Sequence, residues 1–257
     1  MAPTQGDADR PMRKPSRAVL SDETHDAIMG LLLNHHILPG AHINIDALAR
    51  ELEVSPTPVR EALARLESEN LVAKQPLRGY TATALLTASQ VDELFQFRAL
   101  IEPWAAGQAA ARVSDADAEA LRAELERGRE AAEHDIELAY ARMSEHDARF
   151  HELIAGMSGS EYVLEAFTRT HCHLHLFRLY QARKSLSDAQ QKDGGFVDNL
   201  FGLYYQPASG FLALREHEAI ADAVLSGDSA RASELMLSHI EESRSRNAPA
   251  AQRLGGS

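Results

Sequence analysis

The stretch "VSPTPVREALARLESENLV", residues 54–72, decides how the first third of the chain is read. Ser55 stands at an N-cap position and Pro56 at the first helical position, where the missing N–H of proline costs nothing. Val59, Ala62, Leu63 and Leu66 recur at helical spacing, which predicts a helix to about Asn70 with these residues inward. Thr57, Arg60 and Arg65 fall outside that apolar stripe. A helix N-terminus favours anions, because its free N–H groups and its dipole point at them. Small hydroxyls there, Ser55 and Thr57, suit phosphate or base edges. Arg60 lies one turn further on, and arginine can grip guanine or phosphate with two bonds. Arg65 faces roughly the other way and suits a backbone contact or a salt bridge. The plain alternative is a surface helix with arginines among glutamates.

The flanking sequence completes a small domain. Ser21 is placed to cap a first helix with Ala27, Ile28, Leu31 and Leu32 inward, ended by the turn at Pro39 and Gly40. Asn44 caps a short second helix carrying Ile45, Leu48, Ala49 and Leu52. After the third helix, "LVAKQPLRGYTATAL" has two β-prone runs about Pro76 and Gly79, which predicts a hairpin with Arg78 and Gly79 at its tip. Three short helices and a hairpin spell a winged helix-turn-helix over residues 18–85, preceded by a disordered arm, residues 1–17.

Beyond Thr87 the pattern is helical. Thr87 and Gln90 form a capping box for a helix through Arg112, and Ser114 caps another to roughly Glu133. Further helices are expected over about Asp135–Met157, Glu161–Lys184, Ser209–Leu225 and Ser229–Arg246. Residues 185–208 read as irregular or as one short helix, and residues 247–257 as a disordered tail. The expected fold is mainly α: a winged helix-turn-helix, then an antiparallel all-α bundle over residues 86–246 that binds an effector and dimerises.

Composition narrows the function. The net charge of −12 argues against a protein that coats nucleic acid nonspecifically, but a local arginine cluster is enough for a sequence-specific binder. No apolar run reaches roughly 18 residues and no signal-peptide core precedes the first helix, so neither a membrane span nor export is expected. The single cysteine, Cys172, excludes an internal disulfide, suits a reducing cytoplasm, and has nothing beside it that would clearly activate the thiol.

The N-terminal segments "LLLNHHILPGAHI", "LARELEVSPTPVREALARLESENLV" and "RGYTATAL" closely resemble the DNA-binding domain of the GntR family of bacterial repressors, over about residues 20–85. The resemblance implies a homodimer on a palindromic double-stranded operator. The family commonly has an arginine that reads guanine directly after the motif's serine; here that position is Pro56, so base readout leans on Thr57, Arg60 and the wing. "FRALIEPWAAGQAA", "EHDARFHELIAGMSGS" and "EHEAIADAVLSGDSARASELMLSHI" resemble the FCD class of effector domains, over roughly residues 88–245 and weakly across 185–212.

Spacing points to a metal site. Asp147 and His151 are four apart and share one helix face. His217 and His239 each lie eleven residues from Asp228, so a helical hairpin turning there puts them at one height. Three imidazoles and a carboxylate suit zinc, nickel or manganese. The resemblance places metal ligands at these same four positions in metal-binding FCD members. The plain alternative is a set of polar core histidines bonded to backbone. Arg98 is a candidate for holding an anion in the same cavity, or else simply pairs with Glu102. His171, His175 and Arg178 share a face that either lines the ligand cavity or is merely partly buried.

The expected function is a ligand-responsive regulator, most simply a repressor, sensing a small organic acid at a metal-containing cavity. The alternatives are a repressor that senses the metal itself, and a metal-dependent enzyme with a DNA-binding domain. No HExxH motif, nucleophile elbow or phosphate-binding glycine loop supports the last.

Overall fold

The computed structural model describes residues 17–132, 136–182 and 212–254. The N-terminal unit contains α1 (Arg17–Leu33), β1 (His42–Ile43), α2 (Ile45–Glu51), α3 (Pro56–Ser68), β2 (Val72–Gln75) and β3 (Gly79–Ala82). Its core is built from fully buried Ile28, Leu63, Leu66 and Leu71, with Val59 and Ala62. Burying such leucine and isoleucine side chains contributes roughly 1.5–3 kcal/mol each. Asn44 caps α2, accepting from the Ala47 N–H at 2.9 Å. Ser55 occupies the N-cap of α3 without a side-chain capping bond, so its hydroxyl is left for another partner.

Two details differ from the sequence expectation. α1 begins at Arg17, so Ser21 lies inside it and caps nothing; the Thr24 hydroxyl already donates to the Leu20 carbonyl at 2.6 Å, a bond of the helix interior. The wing also gains a third strand. β1 adds to the hairpin in the order β1-β3-β2, all antiparallel, with Ile43 opposite Tyr80. Both residues are buried, which draws this two-residue strand onto the sheet.

The second unit is an antiparallel bundle of α4 (Ala88–Arg112), α5 (Asp115–Ala132), α6 (Ile136–Met157), α7 (Glu161–Thr168), α8 (Cys172–Ala182), α9 (Leu212–Leu225) and α10 (Ser229–Leu254). The Thr87–Gln90 capping box starts α4 with both reciprocal bonds. Ser114 and Asp117 cap α5 in the same way. α4 lies along α10, flanked by α6 and α9, and α5 packs on α6. No helix among the described residues is long and apolar enough to cross a membrane.

The helix expected from Glu161 to Lys184 is two helices. The Thr168 hydroxyl donates to Leu164 O and the Thr170 hydroxyl to Phe167 O, and His171 takes φ +44°. The hydroxyl bonds compete with the backbone for the last carbonyls, and the left-handed residue after them cannot continue a right-handed helix. At the other extreme, α10 runs on to Leu254 where a disordered tail was expected. Pro249 removes one helical hydrogen bond, but Asn247, Ala250 and Ala251 are buried against the bundle and hold the last turns in place. The N-terminal arm and the irregular segment expected over 185–208, with the cap at Ser209, lie outside the described residues.

Candidate metal centre and nucleic-acid interface

α6 and the α9–α10 hairpin build the centre of the bundle. Asp147 and His151 project from one face of α6, His217 from α9 and His239 from α10. One ligand atom from each lies within 4.8 Å of all the others. His151 Nε2 is 3.2 Å from His239 Nε2, and Asp147 Oδ1 is 3.7 Å from His151 Nε2 and 3.6 Å from His217 Nε2. Donors held at about 2.1 Å from one ion stand roughly 3–3.5 Å apart, so the set is close to a coordination shell. The equal spacing about Asp228 does what the sequence suggests: the rings of His217 and His239 are 4.7 Å apart.

The far nitrogens decide the tautomers. His151 Nδ1 lies 2.5 Å from Glu102 Oε2, and His239 Nδ1 lies 2.7 Å from Glu216 Oε2. Burial would raise the pKa of Glu102, but the Arg98 guanidinium, 2.5 Å away, outweighs it and holds the carboxyl at about 2. Glu216 is likewise kept at about 2 against its burial by bonds from His239 and Arg246. Ionised Glu216 therefore accepts the Nδ1 proton of His239, and ionised Glu102 stands against Nδ1 of His151, where its charge favours the proton. In the neutral rings each Nε2 then presents a lone pair, and two lone pairs facing at 3.2 Å repel unless a cation or a proton lies between them. His217 Nε2 is buried with no hydrogen-bond partner among the described residues, and burial holds its ring neutral. Three converging imidazole nitrogens and one carboxylate suit a first-row divalent ion.

A cavity opens beside this cluster. Asp147, His239, Ser144, His173 and Asn247 form its polar side, and Tyr140, Leu176 and Phe177 an apolar wall. The α8 histidine that lines it is His173, from the face opposite the one favoured by the sequence. His175 instead lines a groove between the wing, its linker and α7, and His171 lies near Glu152. Arg178 points into the N-terminal unit, where it donates to Thr83 O at 2.5 Å and Thr83 Oγ1 at 2.8 Å. The reason is Leu174, which joins the N-terminal core and pulls that face of α8 toward it. Arg98 is not aimed into the cavity as an anion-binding group either. It is 2 % exposed and fully engaged by Glu102 and by the Cys172 sulfur at 3.3 Å, as a buried guanidinium must find partners. The orienting carboxylates Glu102 and Glu216 had no motif to announce them. Glu102 is visible in sequence only as the i+4 partner of Arg98.

The other candidate surface is the start of α3 and the wing. Ser55, Thr57 and Arg60 are exposed, and Arg60 has no ion pair among the described residues. Arg65 is exposed and bonded to Asp22 at 2.5 Å, the salt bridge its direction suggested. Arg78 is exposed at the wing tip beside Leu77, whose side chain stands wholly in solvent. Gly79 takes φ +82°, a conformation that favours glycine, and its open Cα side faces only His42.

Comparison with known proteins agrees with this architecture. Residues 20–81 match the bacterial regulatory proteins, gntR family, and residues 93–242 match the FCD domain. The Nta operon transcriptional regulator of Aminobacter aminovorans is 33% identical over 135 residues, 52% of this chain and 62% of that protein. The chain thus spans under two thirds of that relative's length. The HTH-type transcriptional repressor GlaR of Escherichia coli strain K12 is 25% identical over 211 residues, 81% of this chain and 87% of the relative. Among solved structures, E. coli McbR superposes with a TM-score of 0.62 at 19% identity, covering 87% of this chain and 94% of that one, a likeness of fold.

Proposed function

Because the chain belongs to the gntR family of bacterial regulatory proteins and carries an FCD domain, we propose that this transcription regulator is a repressor that responds to a small organic acid. It acts in the cytoplasm as a homodimer on a palindromic operator, with Thr57, Arg60 and the wing residues Arg78 and Gly79 reading DNA and Ser55 holding phosphate. Asp147, His151, His217 and His239 hold a divalent zinc, nickel or manganese ion. When bound, the ion supplies positive charge and open positions for a carboxylate. Ser144, His173 and Asn247 orient the acid by hydrogen bonds, and Tyr140, Leu176 and Phe177 exclude water from its apolar part.

The observation that carries this reading is the convergence of three imidazole nitrogens and a carboxylate beside a cavity with a polar and an apolar side. A sensing role is favoured over catalysis by the carboxylates behind the rings. Glu102 and Glu216 are each tied to arginine, so neither is a free general base. α8 links sensing to DNA: His173, Leu176 and Phe177 face the cavity, while Leu174 and Arg178 are anchored in the winged unit. A ligand with different affinity for two positions of α8 changes the setting of the reading helix.

Selection from a random duplex library by the full chain, zinc-loaded or metal-free, tests the reading. Enrichment of a two-fold symmetric sequence and stoichiometric metal in the purified protein, lost in His217→Ala and His239→Ala, are expected. Enrichment of no sequence overturns the regulator, and stoichiometric metal retained in both variants overturns the ligand set. A change in DNA affinity driven by metal alone favours a metal sensor.

A further inference from the structure

The third imidazole of the cluster is held by a different device from the other two. Among the described residues no carboxylate stands behind His217. Its Nδ1 lies 3.0 Å from Nε2 of His146, a residue of α6 that is 0 % exposed. The other ring nitrogen of His146, Nδ1, lies 3.0 Å from Glu124 Oε1, and Glu124 is also fully buried. At the outer end Glu124 accepts from Arg127 Nη1 at 2.7 Å and from Arg149 Nε at 3.0 Å. These two arginines reach solvent, so the chain of bonds runs from the surface to the centre of the bundle.

We propose that His146, set by Glu124, is a positioning residue that fixes the tautomer of His217 and so turns its Nε2 lone pair toward the cation. This rests on the metal reading above. The direction of the bonds follows from their ends. Glu124, clamped by two guanidinium groups, is an acceptor only, so His146 Nδ1 carries a proton. An imidazole that holds its one proton on Nδ1 has its lone pair on Nε2, so His146 accepts the Nδ1 proton of His217. The proton of neutral His217 is thereby spent on Nδ1, and Nε2 is left unprotonated among the donors.

The helix opposite leaves room for this ring. A Cβ on Gly128 of α5 would stand 2.8 Å from Cε1 and 2.9 Å from Nε2 of His146, and 2.8 Å from Leu214. Any other residue at 128 would push the imidazole off the line between Glu124 and His217. On the far side, Phe150 stacks on the His217 ring, with centroids 4.1 Å apart and planes 10° apart. Packing holds the plane of His217, and His146 sets which of its nitrogens carries the proton.

The test uses the full chain with zinc as the probe. Nitrogen-15 spectra of metal-free wild type, assigned with His217→Gln and His146→Gln chains, should show His217 protonated on Nδ1. Protonation on Nε2 overturns the proposal without any need for a variant that folds. Zinc affinity, measured by competition with a chromophoric chelator, should fall about 10- to 100-fold in His146→Leu, the usual effect of removing an outer-shell partner. His146→Gln, whose amide oxygen accepts the same proton, should recover most of it. Wild-type affinity in His146→Leu, or a His146→Gln chain as weak as His146→Leu, overturns the proposal. If wild type binds no zinc, the metal reading fails, and the tautomer measurement still decides what His146 does.

Discussion

Arg178 of the bundle holds Thr83 at the base of the wing, donating to its carbonyl at 2.5 Å and to its hydroxyl at 2.8 Å. The guanidinium is 1 % exposed and has no carboxylate partner among the described residues, and burial brings its pKa down to about 10. A charge buried on such terms is tolerated only where its hydrogen bonds are kept, and bonds to charged groups are worth about 1.5–3 kcal/mol. Arg178→Ala should therefore undock the winged unit more often. Limited proteolysis of the linker at residues 84–87 should speed up roughly tenfold or more. An unchanged cleavage rate would show that the contact couples nothing.

Arg60 is the reading residue with the least structural work to do. It is exposed and without an ion pair among the described residues, whereas Arg65 is bonded to Asp22. Arg60→Ala should weaken binding to the selected operator by about 1–3 kcal/mol, or about 5- to 150-fold. Its circular dichroism and melting temperature should match wild type. Arg65→Ala should cost less. Equal binding by Arg60→Ala and wild type would remove the reading helix from the argument.

What the sequence revealed was local. Caps at Asn44, Thr87 and Ser114 are contacts between residues three apart, and each forms. The His217–His239 pairing needed only a turn at equal distance from both. What it concealed depends on partners distant in sequence. Glu124 meets His146 across 22 residues, and Arg178 meets Thr83 across 95. Periodicity put His171, His175 and Arg178 on one helix face; the structure keeps His175 and Arg178 on α8 but leaves His171 just before it, and Leu174 settles which neighbour α8 meets by joining the N-terminal core. The break before Cys172 rests on threonine hydroxyls and a left-handed His171, signals weaker than glycine or proline.

Glu102 and Arg98 form a pair in which each is at most 2 % exposed. Removing one partner of such a pair typically costs 3–5 kcal/mol, because the other is left as a buried charge, while replacing both by apolar groups is often near neutral. Glu102→Gln in metal-free protein should lose about 3–5 kcal/mol in urea unfolding. The double variant Arg98→Met, Glu102→Leu should be the more stable of the two. A double variant less stable than the single one would mean that the pair stabilises the fold rather than orienting His151.

The pH dependence of the metal-free chain follows from groups whose folded pKa is depressed. Burial lowers His173 and His175 from 6.5 to about 4. Between those values the unfolded chain binds protons that the folded chain refuses, so stability must fall as pH drops from 6.5 toward 4. Glu102 and Glu216 are depressed from 4.5 to about 2, so their contribution is complete above pH 4.5 and is lost as pH falls toward 2. The two sets act in the same direction over adjoining windows. The urea midpoint should decline from pH 7 to 4.5, and less steeply in a His173→Leu, His175→Leu chain. Since that pair lies at the cavity and the inter-domain groove, a matching slope in both chains would show these rings to be open to solvent and the packing of α8 looser than its burial implies.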